Sequence, residues 1–122
     1  MPVRIKSKTR LQGSVTPSAL GVETDIVNLG DQTDDYIIEG QISLQNMAAG
    51  DTVIIRTYIA VDGTNQVKSD EMTFTSVQKI PVVRIPAATL AYNAKFRLTI
   101  TQVNGTLRSY PYTIIYQVME II

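Results

Sequence analysis

The sequence predicts an all-β fold: an antiparallel β-sandwich, jelly-roll-like or Ig-like, with an N-terminal strand or arm. Three observations carry that expectation. Apolar and polar residues alternate with period two from the middle of the chain to its end. Turn-forming clusters interrupt the alternation about every 8–12 residues, the spacing of short strands in sandwiches. No segment carries a sustained apolar stripe at helical spacing; Pro17–Leu20 and Ala87–Ala91 could each make one helical turn.

The elements follow in order. Residues 1–11 alternate and read as a basic strand or arm. Arg4, Lys6, Lys8 and Arg10 share one parity, so an uninterrupted strand would line them up about 6–7 Å apart. Residues 12–21 are small, polar and rich in turn formers, and read as a linker loop. The sandwich proper is then expected over 22–122. Tyr36, Ile38, Ile42 and Leu44 share one strand face, and Asn46–Asp51 ends that strand. The next strand, 52–61, is apolar on much of both faces, which predicts a central position or an interface on its second face.

Asp62–Asn65 predicts a hairpin, and 66–77 the returning strand. Pro81 and Pro86 fence a short strand over Ile80–Ile85. Proline donates no ladder hydrogen bond, so that strand belongs at an edge or a sheet switch. Tyr92–Gln102 alternates well, and Asn104-Gly105 signals another hairpin. The last strand is expected from about Thr106 to Ile122, with a break near Pro111. Tyr110, Tyr112 and Tyr116 share parity with Ile114 and Val118, which favours a core or interface role over a ligand platform.

Composition narrows the function. At 122 residues the chain is expected to form one core. Formal net charge is zero, so total charge does not argue for nucleic acid or a membrane. No Cys is present, hence no disulfide and no thiol chemistry. The start, MPVRIKSKTR, has no apolar run behind its basic residues and does not read as a secretory signal. No apolar stretch approaches the roughly 20 residues of a spanning helix. His is absent, removing the usual general base and the commonest metal ligand. No GxSxG, SxxK or glycine-rich phosphate loop occurs. The expectation is therefore no enzyme and no cofactor. Asp31, Asp34 and Asp35 could offer oxygens to Ca²⁺ if their loop brought them together, but their spacing matches no EF-hand and an acidic turn before the strand at Tyr36 is the favoured account.

Charge is segregated. No Lys or Arg occurs between Arg10 and Arg56, while seven carboxylates fall in that span. Arg4, Lys6, Lys8 and Arg10 are therefore candidates to meet the acidic segment of a neighbouring copy; a solvated, aggregation-resistant edge is the simpler account. Ile54 and Tyr58, on the second face of strand 52–61, and Ile121 and Ile122 in the apolar tail are further candidate assembly residues.

The stretches AGDTVIIRTYIAVDGTN (Ala49–Asn65), SDEMTF (Ser69–Phe74), VRIPA (Val83–Ala87) and FRLTITQVNGTLRSYPYTII (Phe96–Ile115) resemble small β-sandwich structural proteins of prokaryotic viruses. The likeness lies in strand and hairpin texture over about two-thirds of the chain. It implies a virion structural protein: a capsid decoration, minor shell or single-sandwich capsid subunit. Such a protein would be made in the host cytoplasm and partnered by copies of itself or by another capsid protein. Two other readings fit the same residues: a glycan- or peptide-binding module, and a non-viral filament subunit in an extracellular surface assembly.

Overall fold

A computed structural model describes residues 2–122; Met1, the first residue of the expected arm, lies outside them. Eight strands form two antiparallel four-stranded sheets. They are β1 (Val3–Val15), β2 (Thr24–Asn28), β3 (Tyr36–Ser43), β4 (Thr52–Ile59), β5 (Val67–Thr75), β6 (Val82–Leu90), β7 (Arg97–Asn104) and β8 (Tyr110–Ile121). The first sheet has the order β1-β8-β3-β6 and the second β2-β7-β4-β5. Consecutive strands mostly alternate between sheets, so the chain winds around the core as a jelly roll rather than an Ig-type sandwich.

The core follows from the alternation. Tyr36, Ile38 and Ile42 of β3 and Tyr110, Ile114 and Val118 of β8 point inward from the first sheet. Val53 and Ile55 of β4 and Leu98 and Ile100 of β7 meet them from the second. Tyr112 and Tyr116 pack against this cluster, as their parity with Ile114 predicts. Strand β4 lies between β5 and β7, the central place its apolar pattern requires. Strand β6 is an edge, as its prolines require.

Several boundaries differ from expectation. Strand β1 continues to Val15, four residues into the stretch read as linker, because Gln12–Val15 pair with Tyr110–Thr113. Ala87–Leu90 extends β6 rather than making a helical turn; a register shift between Ile38 and Gly40 absorbs Pro86 and the ladder resumes. Strand β8 passes through Pro111 without a break. Residues 92–96 are loop, so β7 starts only at Arg97. Strand β2 is an element the patterning did not show. The Asp62–Asn65 turn is a true hairpin, since β4 pairs with β5. Asn104-Gly105 is not: β7 and β8 belong to different sheets, and residues 105–109 cross between them.

Odd-numbered strands run one way and even-numbered strands the other, which sorts the loops into two ends. Loops 16–23, 44–51, 76–81 and 105–109 form one end, called here the loop end. Loops 29–35, 60–66 and 91–96 form the terminal end, together with Val3 and Ile121.

Candidate assembly surfaces

The outer face of the second sheet carries a closed polar network. The Glu23 carboxylate accepts hydrogen bonds from the Tyr58 hydroxyl (2.5 Å) and the Thr99 hydroxyl (2.6 Å). Arg56 lies 3.9 Å from Glu23 and pairs with Glu71 at 2.7 Å, which Lys68 also meets at 3.0 Å. Arg97 pairs with Asp25 at 2.7 Å and lies over the Tyr58 ring, 5.1 Å from its centroid. Arg56, Lys68 and Arg97 thus cancel Glu23, Asp25 and Glu71. Thr99 and Thr101 are buried beneath this layer although they face outward.

Burial pushes the Glu23 carboxyl up, but hydrogen bonds from Thr99 and Tyr58 and the charges of Arg97 and Arg56 outweigh it and hold it below the usual carboxylate range. Burial and the adjacent Glu23 carboxylate raise the Tyr58 phenol. Tyr58, expected as an assembly residue, therefore has partners within its own chain. Ile54, on the same face, is half-buried.

The basic arm is placed differently from a simple stripe. A register shift between Ile5 and Ser7 makes Lys6 an extra residue. Beyond it the parity flips. Arg4 stands opposite Glu120 and pairs with it at 2.6 Å, whereas Lys8 and Arg10 stand opposite Gln117 and Ile115 on the other face. The four cations therefore do not share one side. Lys8 and Arg10 join Glu39 and Arg84 on the outer face of the first sheet. A shallow groove of about 310 Å³ crosses that face, bordered by Gln12, Gln41, Ser43 and Thr113.

The three aspartates do not converge. Asp31 pairs with Lys95 at 3.0 Å. Asp34 accepts the Asp35 backbone N–H at 2.7 Å, and Asp35 accepts the Tyr92 N–H at 3.0 Å. Each carboxylate has a turn-fixing or ion-pairing role instead, and no group of three metal-ligating side chains occurs among the described residues.

Ile121 and Ile122 are exposed at the terminal end, beside Val3 and Ile5. Val3, Met119 and Ile121 wall a cleft of about 230 Å³ that Asp34, Asp35 and Glu120 rim. At the loop end, Val77 and Ile80 project from loop 76–81. Glu23, Arg97 and Ile80 carry no functional motif in the sequence. The first two acquire their roles from partners tens of residues away; the one local signal for Ile80 is an apolar residue stranded between Lys79 and Pro81.

No protein-family model matches the sequence, and no curated protein matches it. Among solved structures the chain is similar to that of the infectious bursal disease virus Gx strain. The TM-score is 0.51 at 15% identity, covering 97% of this chain and 33% of that one. It is also similar to the crystal structure of the infectious bursal disease virus VP2 subviral particle, with TM-score 0.48 and 13% identity over 95% of this chain and 33% of that one. The chain therefore spans a third of the length of these viral chains. The strand order and the match to the Gx-strain structure together establish the fold: an eight-stranded jelly roll of the kind found in a virus structure.

Proposed function

We propose that this chain is a virion structural protein, a decoration, minor shell or single-sandwich capsid subunit, acting through assembly with copies of itself. The observation that carries the reading is that nearly the whole chain is one jelly roll that aligns with a viral chain. Exposed apolar residues at both ends support it, since contiguous apolar patches on small soluble domains mark contact sites. The prokaryotic host rests on the strand texture of the sequence alone.

The test is the mass of the purified native protein by light scattering, with electron microscopy of the same sample. Oligomers or particles are expected at micromolar concentration. A strict monomer at the highest attainable concentration would set the reading aside. The groove on the first sheet favours one second reading, a glycan- or peptide-binding module. Binding on a glycan array by a monomeric protein would support that alternative.

A further inference from the structure

The two ends of the molecule differ in a complementary way. At the loop end, residues 76–81 present Val77 at 66% and Ile80 at 84% exposure, flanking Lys79. Lys79 makes no ion pair among the described residues. The loop is held at its base. The Ser76 N–H donates to the Asp51 carbonyl at 2.8 Å, and the Leu44 N–H donates to the Pro81 carbonyl at 2.8 Å. The Gln78 side-chain amide donates to the Thr75 and Ser76 carbonyls at 3.0 and 3.3 Å. These bonds stay within the loop and its neighbours and leave the apolar tips facing solvent. A loop already fixed in shape loses little conformational entropy on docking.

At the terminal end, the cleft has the opposite character. Val3 and Ile121 are each 60% exposed and form apolar walls with Met119. Glu120 on the rim is neutralised by Arg4. Asp34 and Asp35 on the same rim make no ion pair among the described residues. Among the described residues, the cleft thus offers apolar contact with negative charge that no cation pairs, and the loop offers apolar contact with positive charge that no carboxylate pairs.

We propose that loop 76–81 of one copy docks into the terminal-end cleft of the next, with Ile80 and Val77 against Val3, Met119 and Ile121, and Lys79 beside Asp34 and Asp35. The inference rests on the assembly reading and gives it a direction. The contact joins unlike surfaces, so each copy uses its loop once and its cleft once. Such head-to-tail contacts close into rings or propagate as open arrays. Apolar burial supplies most of the affinity, because an exposed ion pair contributes little. The charges set orientation and reject the loop-to-loop and cleft-to-cleft alternatives.

The test uses three variants of the full chain: Ile80→Asp, Lys79→Asp and Asp34→Lys. Circular dichroism establishes that each is folded, which is expected for Ile80→Asp and Lys79→Asp because both residues are exposed. Sedimentation velocity then reads association. Ile80→Asp should weaken it by about tenfold or more, the effect of losing one well-buried aliphatic contact. Lys79→Asp and Asp34→Lys should each weaken it by a smaller factor. Mixing Lys79→Asp with Asp34→Lys should restore part of it, because the Lys79 loop of the Asp34→Lys chain then meets the unaltered Asp34–Asp35 cleft of the Lys79→Asp chain. A same-surface interface would not be weakened by both single variants, because a loop-to-loop contact leaves out residue 34 and a cleft-to-cleft contact leaves out residue 79. Wild-type association that all three variants share overturns the docking and leaves the assembly reading standing. A wild-type monomer overturns that reading, and the docking with it.

Discussion

Single residues at the loop end hold the crossover between the sheets. Asp51 is only 1% exposed. Its carboxylate accepts the Ala48 N–H at 2.9 Å, the Thr106 N–H at 3.2 Å and the Arg108 guanidinium at 2.9 Å. Burial alone would raise its pKa, but these donors and the Arg108 charge hold it below the ordinary carboxylate value. A carboxyl depressed in the folded state stabilises the protein above its unfolded pKa, and that contribution is lost as pH falls through the folded value. Asp51→Asn is therefore expected to lower stability at pH 7 by about 2 kcal/mol and to flatten the acid limb of stability against pH. Urea unfolding between pH 3 and 7 checks this; an unchanged acid limb would assign the pH dependence to other groups. Beside Asp51, Gly105 has φ +89°, and a Cβ there would meet the Asp51 carboxylate and lie 2.8 Å from its Cα. Gln102, fully buried, uses its amide completely. It donates to the Asn104 and Thr106 carbonyls and accepts from the Arg108 N–H and the Tyr110 hydroxyl. Gln102→Leu leaves the buried Tyr110 hydroxyl and the part-buried Arg108 N–H without their acceptor, and should cost about 2 kcal/mol, read as a fall in the urea midpoint.

The strands show what period two discloses and what it does not. Alternation gave the inward faces of β3, β4, β7 and β8 because those strands are half- or fully buried, and the pattern records burial. It could not say which sheet the next strand joins. Asn104-Gly105 reports a chain reversal, yet the partner of β8 is chosen by β1 and β3, far away in sequence. Nor could it show bulges. The extra residue at Lys6 turns a stripe of four cations into cations on two faces, and the Asp31–Asp35 cluster dissolves into separate turn and ion-pair contacts. Strand β2 was illegible because five residues, two of them charged or amide at the solvent side, carry too little pattern. Close approach was also hidden: a Cβ on Gly40 would fall 2.6 Å from the Thr113 carbonyl oxygen and against the Ile114 side chain. Gly40→Ala should therefore cost about 2 kcal/mol through displacement of β8, visible as a lowered urea midpoint with unchanged slope. Strand β1, like β5, is an edge strand with no fully buried residue, and it pairs with β8 alone. Deleting residues 1–11 is expected to leave a folded domain that assembles less well. Truncated protein that assembles as readily as the full chain, by light scattering, would remove the arm from the contact.

Across the whole molecule, charge is partitioned by surface rather than by sequence. The second sheet's outer face is self-neutralised, so it gains little by meeting a charged partner. Lys8, Arg10, Lys79, Arg84, Asp34 and Asp35 lie elsewhere, and none of them makes an ion pair among the described residues. Exposed apolar side chains at the two ends have the same distribution, with Val77 and Ile80 at one and Val3, Ile121 and Ile122 at the other. A domain arranged this way has a complete core and exposed apolar side chains at its ends. If the ends are completed by other copies, contacts made only by folded chains add to stability by mass action. The apparent Tm should then depend on protein concentration. A concentration 100-fold above the dissociation constant adds about 2.7 kcal/mol, on the order of 10 °C for a domain of this size. Calorimetry over a 100-fold concentration range, at a scan rate where unfolding is reversible, measures the effect directly. Raising the salt should shrink the shift only modestly, since the apolar part of the contact is not screened. A Tm that is flat across the whole range would mean that folding gains nothing from neighbours, and the ends would then be ordinary solvated surface.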